Sequence, residues 1–267
     1  MPSTLKKFIK HIIRYNVLDY GVPRLRKLYK KLGILEFMDT RFYWLAWKIV
    51  HWALRDKIWT GKTIGAANVP PTGAAIFVPN HSHALDPFFS GVSIYRKVHW
   101  VSKIENYSHP FFRPILQCTG SIPLRRGKSD KNAIRLIKAE LDKGEMIGMF
   151  PEGTRTKDGS LMHFHTGAAR LCLEYNIPYI PVGITGSYKT KMGDKVNVHI
   201  GKPRYPHGMK LNYENARKFT ALMEQDIRAL CGQQETPIPA VITPISTASP
   251  VKSSPVPLKA PEQVIIH

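Results

Sequence analysis

Residues 77–89 read FVPNHSHALDPFF. An apolar run over 74–78 stops at Pro79, and an asparagine, two histidines and an aspartate follow before a pair of phenylalanines. The run has the length and composition of a short strand. Asp86-Pro87 has the form of a helix start, with Asp as N-cap and Pro in the first turn. The stretch therefore predicts strand, polar loop and helix in succession. In open α/β sheets, sites collect in loops at strand ends. His81 and Asp86 stand five residues apart. On one continuous helix they would diverge by about 140°, whereas a loop bending into a helix can return the carboxylate to the imidazole. A carboxylate on one ring nitrogen fixes the tautomer and leaves the other nitrogen as a base. On spacing alone His83 competes for that role. The pair in isolation also reads as a helix cap beside an ordinary loop histidine.

Downstream the pattern alternates. Residues 97–101 read as a strand, 129–143 as a helix, 145–150 as an apolar strand and 167–175 as a helix. Strands follow at 179–185 and 196–200, and 213–231 is a closing helix. Strands alternating with helices predict an α/β domain, a mostly parallel mixed sheet flanked by helices. Two further polar stretches sit beside predicted strands. In MIGMFPEGTR, 146–155, an apolar run ends in a loop where Gly153 permits a tight turn or close approach. Arg155 there offers the planar fork of donors that suits phosphate. In GSIPLRR, 120–126, Arg125 and Arg126 form a basic cluster that alone reads as a solvated charge run.

Upstream, residues 5–17 have helical spacing, with Leu5, Phe8, Ile9, Ile12 and Ile13 on one face and Lys6, Lys7, Lys10 and Arg14 on the other. A second short helix is expected to turn Leu25, Leu28, Tyr29 and Leu32 inward and Arg24, Arg26, Lys27, Lys30 and Lys31 outward, stopping at Gly33. Residues 42–54, FYWLAWKIVHWAL, are aromatic and too short to span a bilayer. Basic amphipathic helices beside a Trp-rich one predict an N-terminal membrane-surface region over 1–60. A domain over 61–232 and a Pro/Ser/Thr-rich disordered tail over 233–267 complete the expected organisation.

The chain carries 39 Lys and Arg against 19 Asp and Glu, a net charge of +20 over 267 residues. Such an excess implies an anionic partner: membrane lipid, nucleic acid or a phosphorylated substrate. No RNP-type aromatic signature accompanies it, so nucleic acid is not expected. Cys118, Cys172 and Cys231 are scattered and read as small apolar residues in a reducing compartment. No HExxH or Cys/His spacing indicates a metal. Lys and Arg interrupt every early apolar run, so neither a signal peptide nor a spanning helix is expected.

Taken together, these blocks resemble the glycerolipid acyltransferase family, best known for its lysophosphatidic acid acyltransferases. The family's H-x4-D block is matched by His81 to Asp86. Its Gly-hydrophobic-Arg block is matched by GSIPLRR with Arg126 in the arginine place. F-P-E-G-T-R is unchanged at 150–155, and the apolar run around a proline is matched by IPYIPVGI at 177–184. Lys103 falls where the family often has a lysine. The resemblance covers about 61–204. It implies transfer of a fatty acyl group from acyl-CoA or acyl carrier protein to a hydroxyl, without a cofactor. His81 is then the general base and Asp86 its orienting partner, with no acyl-enzyme since no G-x-S-x-G elbow is present. Lys103, Arg155 and one or both of Arg125 and Arg126 hold an acceptor phosphate. Glu152, Gly153 and Thr154 belong to the substrate loop, Glu152 either bonding a glycerol hydroxyl or fixing the loop. The expected setting is peripheral or monotopic on a membrane, with the site facing the cytoplasm.

Overall fold

The computed structural model of the chain describes residues 22–54, 59–108, 112–125 and 130–233. The helix predicted over 5–17, Arg126 and the tail beyond 233 lie outside the described residues.

Seven strands form one sheet in the order β1-β7-β6-β2-β5-β3-β4. They are β1 (Thr63–Ile64), β2 (Ala75–Pro79), β3 (Val98–Lys103), β4 (Ile122–Leu124), β5 (Met146–Gly148), β6 (Tyr179–Thr185) and β7 (Asn197–Ile200). All neighbouring pairs are parallel except β6 with β7. The sheet is therefore mixed and mostly parallel, as the alternation predicts. The C-terminal ends of β2, β3, β4, β5 and β6 share one edge. Since β7 runs back against β6, the first residues of β7 and of its parallel neighbour β1 reach that same edge.

β2 is buried along its whole length, and its alternation divides the core in two. Ile76 and Val78 face a cluster built with α5 (Lys131–Asp142), α6 (Gly167–Tyr175) and α7 (Tyr213–Leu230), including Ile137, Cys172, Phe219 and Met223. Ala75 and Phe77 face the opposite cluster, which holds Phe89 of α3 (Asp86–Gly91) and Leu54. Burying an Ile or Phe contributes roughly 1.5–3 kcal/mol, so the strand before the histidine loop is among the most firmly seated parts of the chain. Asp130 caps α5, its side chain accepting the N–H groups of Asn132 and Ala133, which starts that helix two residues later than the periodicity predicts. A helix over Phe112–Cys118, α4, and the short β4 were not predicted; Pro114 inside α4 and Pro123 inside β4 read as breakers in a sequence.

The N-terminal pair, α1 (Val22–Lys31) and α2 (Leu35–His51), corrects the expected orientation. Leu25, Leu28 and Leu32 are exposed, not inward. Arg26, expected outward, turns in to pair with Asp39 of α2 and to bond Cys118 Sγ at 3.4 Å. Arg24, Lys27, Lys30 and Lys31 are exposed as expected, so most of both faces of α1 is uncovered. α2 also begins at Leu35, ahead of the aromatic run. Trp47 Nε1 donates to Gly91 O at 3.1 Å and Ile94 O at 3.0 Å, and the Tyr43 hydroxyl accepts the Val98 N–H at 3.2 Å. The polar tips of those two aromatics thus anchor α2 to the end of α3, the loop after it and the start of β3. Its other face presents Phe37, Phe42, Leu45, Ile49 and Trp52 outward.

Candidate active site

The loop after β2 is clamped before it turns. Asn80 Oδ1 accepts the Ile184 N–H at 2.7 Å and its amide nitrogen donates to Ile184 O at 3.0 Å. The chain then bends around Asp86. Its Oδ2 accepts the N–H of Ser82 at 2.7 Å and of His83 at 2.6 Å, and lies 3.0 Å from His81 Nδ1. Asp86 is 0% exposed, and its Oδ1 accepts no hydrogen bond from the described residues. With the carboxylate as acceptor, His81 Nδ1 is the donor, which leaves the lone pair on Nε2. This corrects the reading of Asp86 as an N-cap. Leu85 occupies the cap position and Asp86 opens α3. Its carboxylate reaches back to loop N–H groups rather than forward to those of Phe88 and Phe89, which already bond Leu85 O at 2.9 Å. His83 does not meet the carboxylate through its ring; its Nδ1 accepts the Leu85 N–H at 3.3 Å.

The imidazole is also held by its face. It stacks on Phe150 with centroids 4.0 Å apart and planes at 23°. Phe150 in turn stacks on Trp100 at 5.2 Å and 16°. Trp100 is paired with Gly148 across β3 and β5, where a Cβ would come 2.5 Å from the indole Cε3. The glycine admits the ring, and the aromatic column carries the position of β3 to His81.

Glu152 fixes the same loop from the third block. Its Oε1 accepts the His81 N–H at 2.6 Å and Oε2 the Met162 N–H at 3.1 Å. Only 2% of it is exposed, and burial pushes its pKa up to about 7. Both oxygens are engaged by backbone, so of the two expectations for Glu152 the geometry favours fixing the loop. Gly153 has φ +68, and a Cβ there would lie 3.0 Å from His165 Cδ2; glycine adopts this backbone without strain. On the other side of His81, its carbonyl accepts the Thr156 N–H at 3.0 Å.

The expected phosphate ligands stand apart from the pair. Lys103 ends β3, Arg125 follows β4, and Thr154 and Arg155 follow β5, all exposed on the strand-end rim. None of them hydrogen-bonds to His81 or Asp86; Arg125 donates its backbone N–H to Asp130 Oδ2 at 2.8 Å. Three contributors went unread in the sequence: Asn80 as a clamp, the Trp100–Phe150 column, and Ser187, whose hydroxyl lies 2.7 Å from that of Ser82. Asn80 adjoins His81 and was findable; Trp100 and Ser187 are distant in sequence and carry no local signal. Among the described residues no three His, Cys, Asp or Glu side chains converge as metal ligands would.

Residues 62–185 match the sequence model of the Acyltransferase family. This segment is an acyltransferase-family domain. Among curated relatives, a chloroplastic 1-acyl-sn-glycerol-3-phosphate acyltransferase of Brassica napus is 28% identical over 169 residues, covering 59% of this chain and 48% of that one. An enzyme of the same name from Helicobacter pylori is 31% identical over 122 residues, 44% of this chain and 51% of its own. One from Salmonella typhimurium is 29% identical over 168 residues, 59% and 69% respectively. The chain thus spans about half the length of the first two of these relatives. The crystal structure of a 1-acyl-sn-glycerophosphate acyltransferase from Thermotoga maritima superposes with a TM-score of 0.58 at 20% identity, covering 86% of this chain and 95% of that one. At that identity the likeness establishes the shared fold.

Proposed function

We propose that this chain transfers a fatty acyl group from a thioester to the free hydroxyl of lysophosphatidic acid, giving phosphatidic acid for phospholipid synthesis. The observation that carries this reading is the buried Asp86 carboxylate 3.0 Å from His81 Nδ1, inside a domain of the acyltransferase family. His81 Nε2 removes the proton from the acceptor hydroxyl as its oxygen attacks the thioester carbonyl. The C–O bond forms, the tetrahedral intermediate collapses, and the C–S bond breaks. The departing thiolate takes the proton back from His81. Asp86 holds the tautomer and stabilises the imidazolium between those steps. Asn80, Glu152, Thr156 and Phe150 keep the imidazole from drifting, and small misplacements of a base are costly in rate.

Lys103, Arg125 and Arg155 supply positive charge on one rim for the acceptor's phosphate, with Arg126 expected beside Arg125. A terminal phosphomonoester suits a guanidinium fork. The outward apolar face of α2 and the basic α1 favour attachment to a membrane surface, where both substrates partition. Among the described residues no helix is long and apolar enough to cross a membrane.

The test is acyl transfer from labelled acyl-CoA, then from acyl carrier protein, to lysophosphatidic acid, lysophosphatidylcholine, glycerol-3-phosphate and a glycolipid, with His81→Ala alongside. Preference for lysophosphatidic acid, lost in the variant, supports acceptor and base together. Preference for another acceptor keeps the chemistry and reassigns the arginines. Full activity of His81→Ala overturns the mechanism. Salt-sensitive DNA binding without transfer from either donor points to a basic binding protein instead.

A further inference from the structure

His81 sits at the middle of the sheet edge, and the cations on that edge fall into two groups. Lys103, Arg125 and Arg155 follow β3, β4 and β5 on one side. On the other, beyond β6, stand Lys62, Lys157, Lys189, Lys191 and Lys195, all exposed. The antiparallel turn of β7 puts Lys62, Lys189, Lys191 and Lys195 there, while Lys157 follows β5 and reaches this side through its loop, whose Lys157 carbonyl accepts the Tyr188 hydroxyl. The loop between β6 and β7 carries the last three, and Lys62 immediately precedes β1, whose Thr63 pairs with Val198.

This second group is joined to the histidine loop. Ser187, two residues before Lys189, meets Ser82 at 2.7 Å, and Thr156, next to Lys157, donates its N–H to His81 O at 3.0 Å. Tyr188 links the two lysine-bearing loops: its hydroxyl donates to Lys157 O at 2.6 Å, and its ring lies 5.0 Å beneath the Lys189 ammonium. The β6–β7 loop is tied at its far end too, Thr60 donating its N–H to Asp194 O at 3.2 Å. Within the described residues none of the five lysines forms an ion pair with an acidic side chain. The two nearby acids are engaged by their own turns: Asp194 Oδ2 accepts the Lys191 N–H at 2.6 Å, and Asp158 Oδ1 accepts from Ser160 N at 3.0 Å.

Acyl transfer between a phosphorylated lysolipid and a phosphorylated thioester brings two polyanions to one base. We propose that the lysine group beyond β6 binds the nucleotide phosphates of a coenzyme A thioester, opposite the arginines that take the acceptor. This rests on the acyl-transfer reading above. The pantetheine arm then runs from the lysine group across the outside of the histidine loop and delivers the thioester to His81 from the side away from the acceptor phosphate. Exposed lysines act here as point charges that concentrate an anionic substrate, by about ten- to a thousandfold in focused clefts, and the effect weakens with salt.

The experiment compares the full chain with Lys157→Glu/Lys189→Glu/Lys191→Glu in neutral detergent micelles. It measures binding of free coenzyme A, and steady-state transfer from acyl-CoA and from S-acyl pantetheine, which lacks the phosphates. The expected result is a rise of about tenfold or more in KM for acyl-CoA and in the Kd for coenzyme A. KM for lysophosphatidic acid and the rate with S-acyl pantetheine stay within twofold, and Lys→Arg at the same positions restores the wild-type values. Unchanged KM for acyl-CoA with active enzyme overturns the site and leaves acyl transfer standing. Equal loss with S-acyl pantetheine also overturns it, since a damaged fold explains that result. A chain that binds coenzyme A through these lysines yet transfers nothing keeps the site and removes the reaction. A wild type that accepts only acyl carrier protein and does not bind coenzyme A overturns the proposal.

Discussion

The histidine loop and the N-terminal helix pair use their residues in opposite ways. In the loop, polar side chains are buried and partnered: Asn80, Asp86 and Glu152 all lie inside and bond to backbone. In the helix pair, large apolar side chains are exposed: Leu45, Ile49 and Trp52 are 58%, 56% and 55% accessible. Each pattern departs from the rule that apolar residues are buried and polar ones exposed. Burying carboxylates is tolerable only where donors meet them, and such donors pre-set a geometry. Exposing a row of Leu, Ile and Trp is tolerable only where something apolar covers it. One departure marks chemistry and the other marks a surface, so they should fail independently.

The strongest way to break the comparison is at His81. His81→Ala should lower kcat by about 10²–10⁴-fold while leaving membrane attachment and thermal stability near wild type, measured by transfer assay, flotation and thermal denaturation. Asp86→Ala should fall nearly as far in rate. It should also lose stability by about 1–3 kcal/mol, since the N–H groups of Ser82 and His83 lose their acceptor. If Asp86→Ala is stable but inactive, the loop is held by Asn80, Glu152 and Thr156 alone. Glu152→Gln should cost less, about tenfold in kcat. Glutamine offers one oxygen where two N–H donors, of His81 and Met162, need acceptors. A wild-type rate for this variant would show that the His81 loop does not depend on Glu152.

The legible part of this molecule was the part with an apolar run or a helical stripe. β2 and β6 announce themselves as apolar runs and α6 and α7 by the helical stripe, and α6 and β6 run over the predicted residues. β4 and α4 did not, each carrying an internal proline, Pro123 and Pro114. Within the site, His81, Asp86, Glu152 and Gly153 are the residues the motifs single out, and they do come together. Their supports were less visible. Trp100 reaches His81 through Phe150 only because β3 lies beside β5, and sequence spacing does not encode strand order. The leucines of α1 are exposed for a related reason: helical spacing aligns Leu25, Leu28 and Leu32 but does not supply the surface that would cover them. Arg26 turned inward because Asp39 lies on α2 to receive it.

The helix face offers a gentler test that acts on the other half of the comparison. Leu45→Asp/Ile49→Asp should release most of the chain from phosphatidylglycerol vesicles in a flotation assay. Each large apolar side chain that enters a membrane contributes roughly 1.5–3 kcal/mol. Transfer to a micelle-dispersed acceptor should stay within about threefold of wild type, because neither residue touches the histidine loop. High salt should leave part of the wild type on the vesicles but none of the variant, since the basic face of α1 remains and its attraction is screened. Undiminished binding of the variant would mean that the exposed row is not the membrane face. A monomer–dimer shift on substitution would mean that a second copy covers it.

The smallest expected effect separates the two uses of burial inside the site itself. Glu152 has its pKa raised from an ordinary carboxyl value to about 7, first by desolvation and against two backbone hydrogen bonds that pull it down. A carboxyl raised on folding favours the native state while it is protonated in both states. That contribution is complete below an unfolded pKa near 4.5 and is lost as pH rises through about 7. Glutamine does not titrate. The stability difference between wild type and Glu152→Gln should therefore move against wild type across this window, by on the order of 1–3 kcal/mol, read from denaturant midpoints at several pH values. Ionisation meanwhile strengthens the bonds from the His81 and Met162 N–H groups, since charged acceptors bind donors more tightly. The loop is then held most firmly at the pH where burying Glu152 stabilises the fold least. A stability difference flat with pH would mean that Glu152 is not strained by its burial. The carboxylate would then differ from Asp86 only in which backbone it holds.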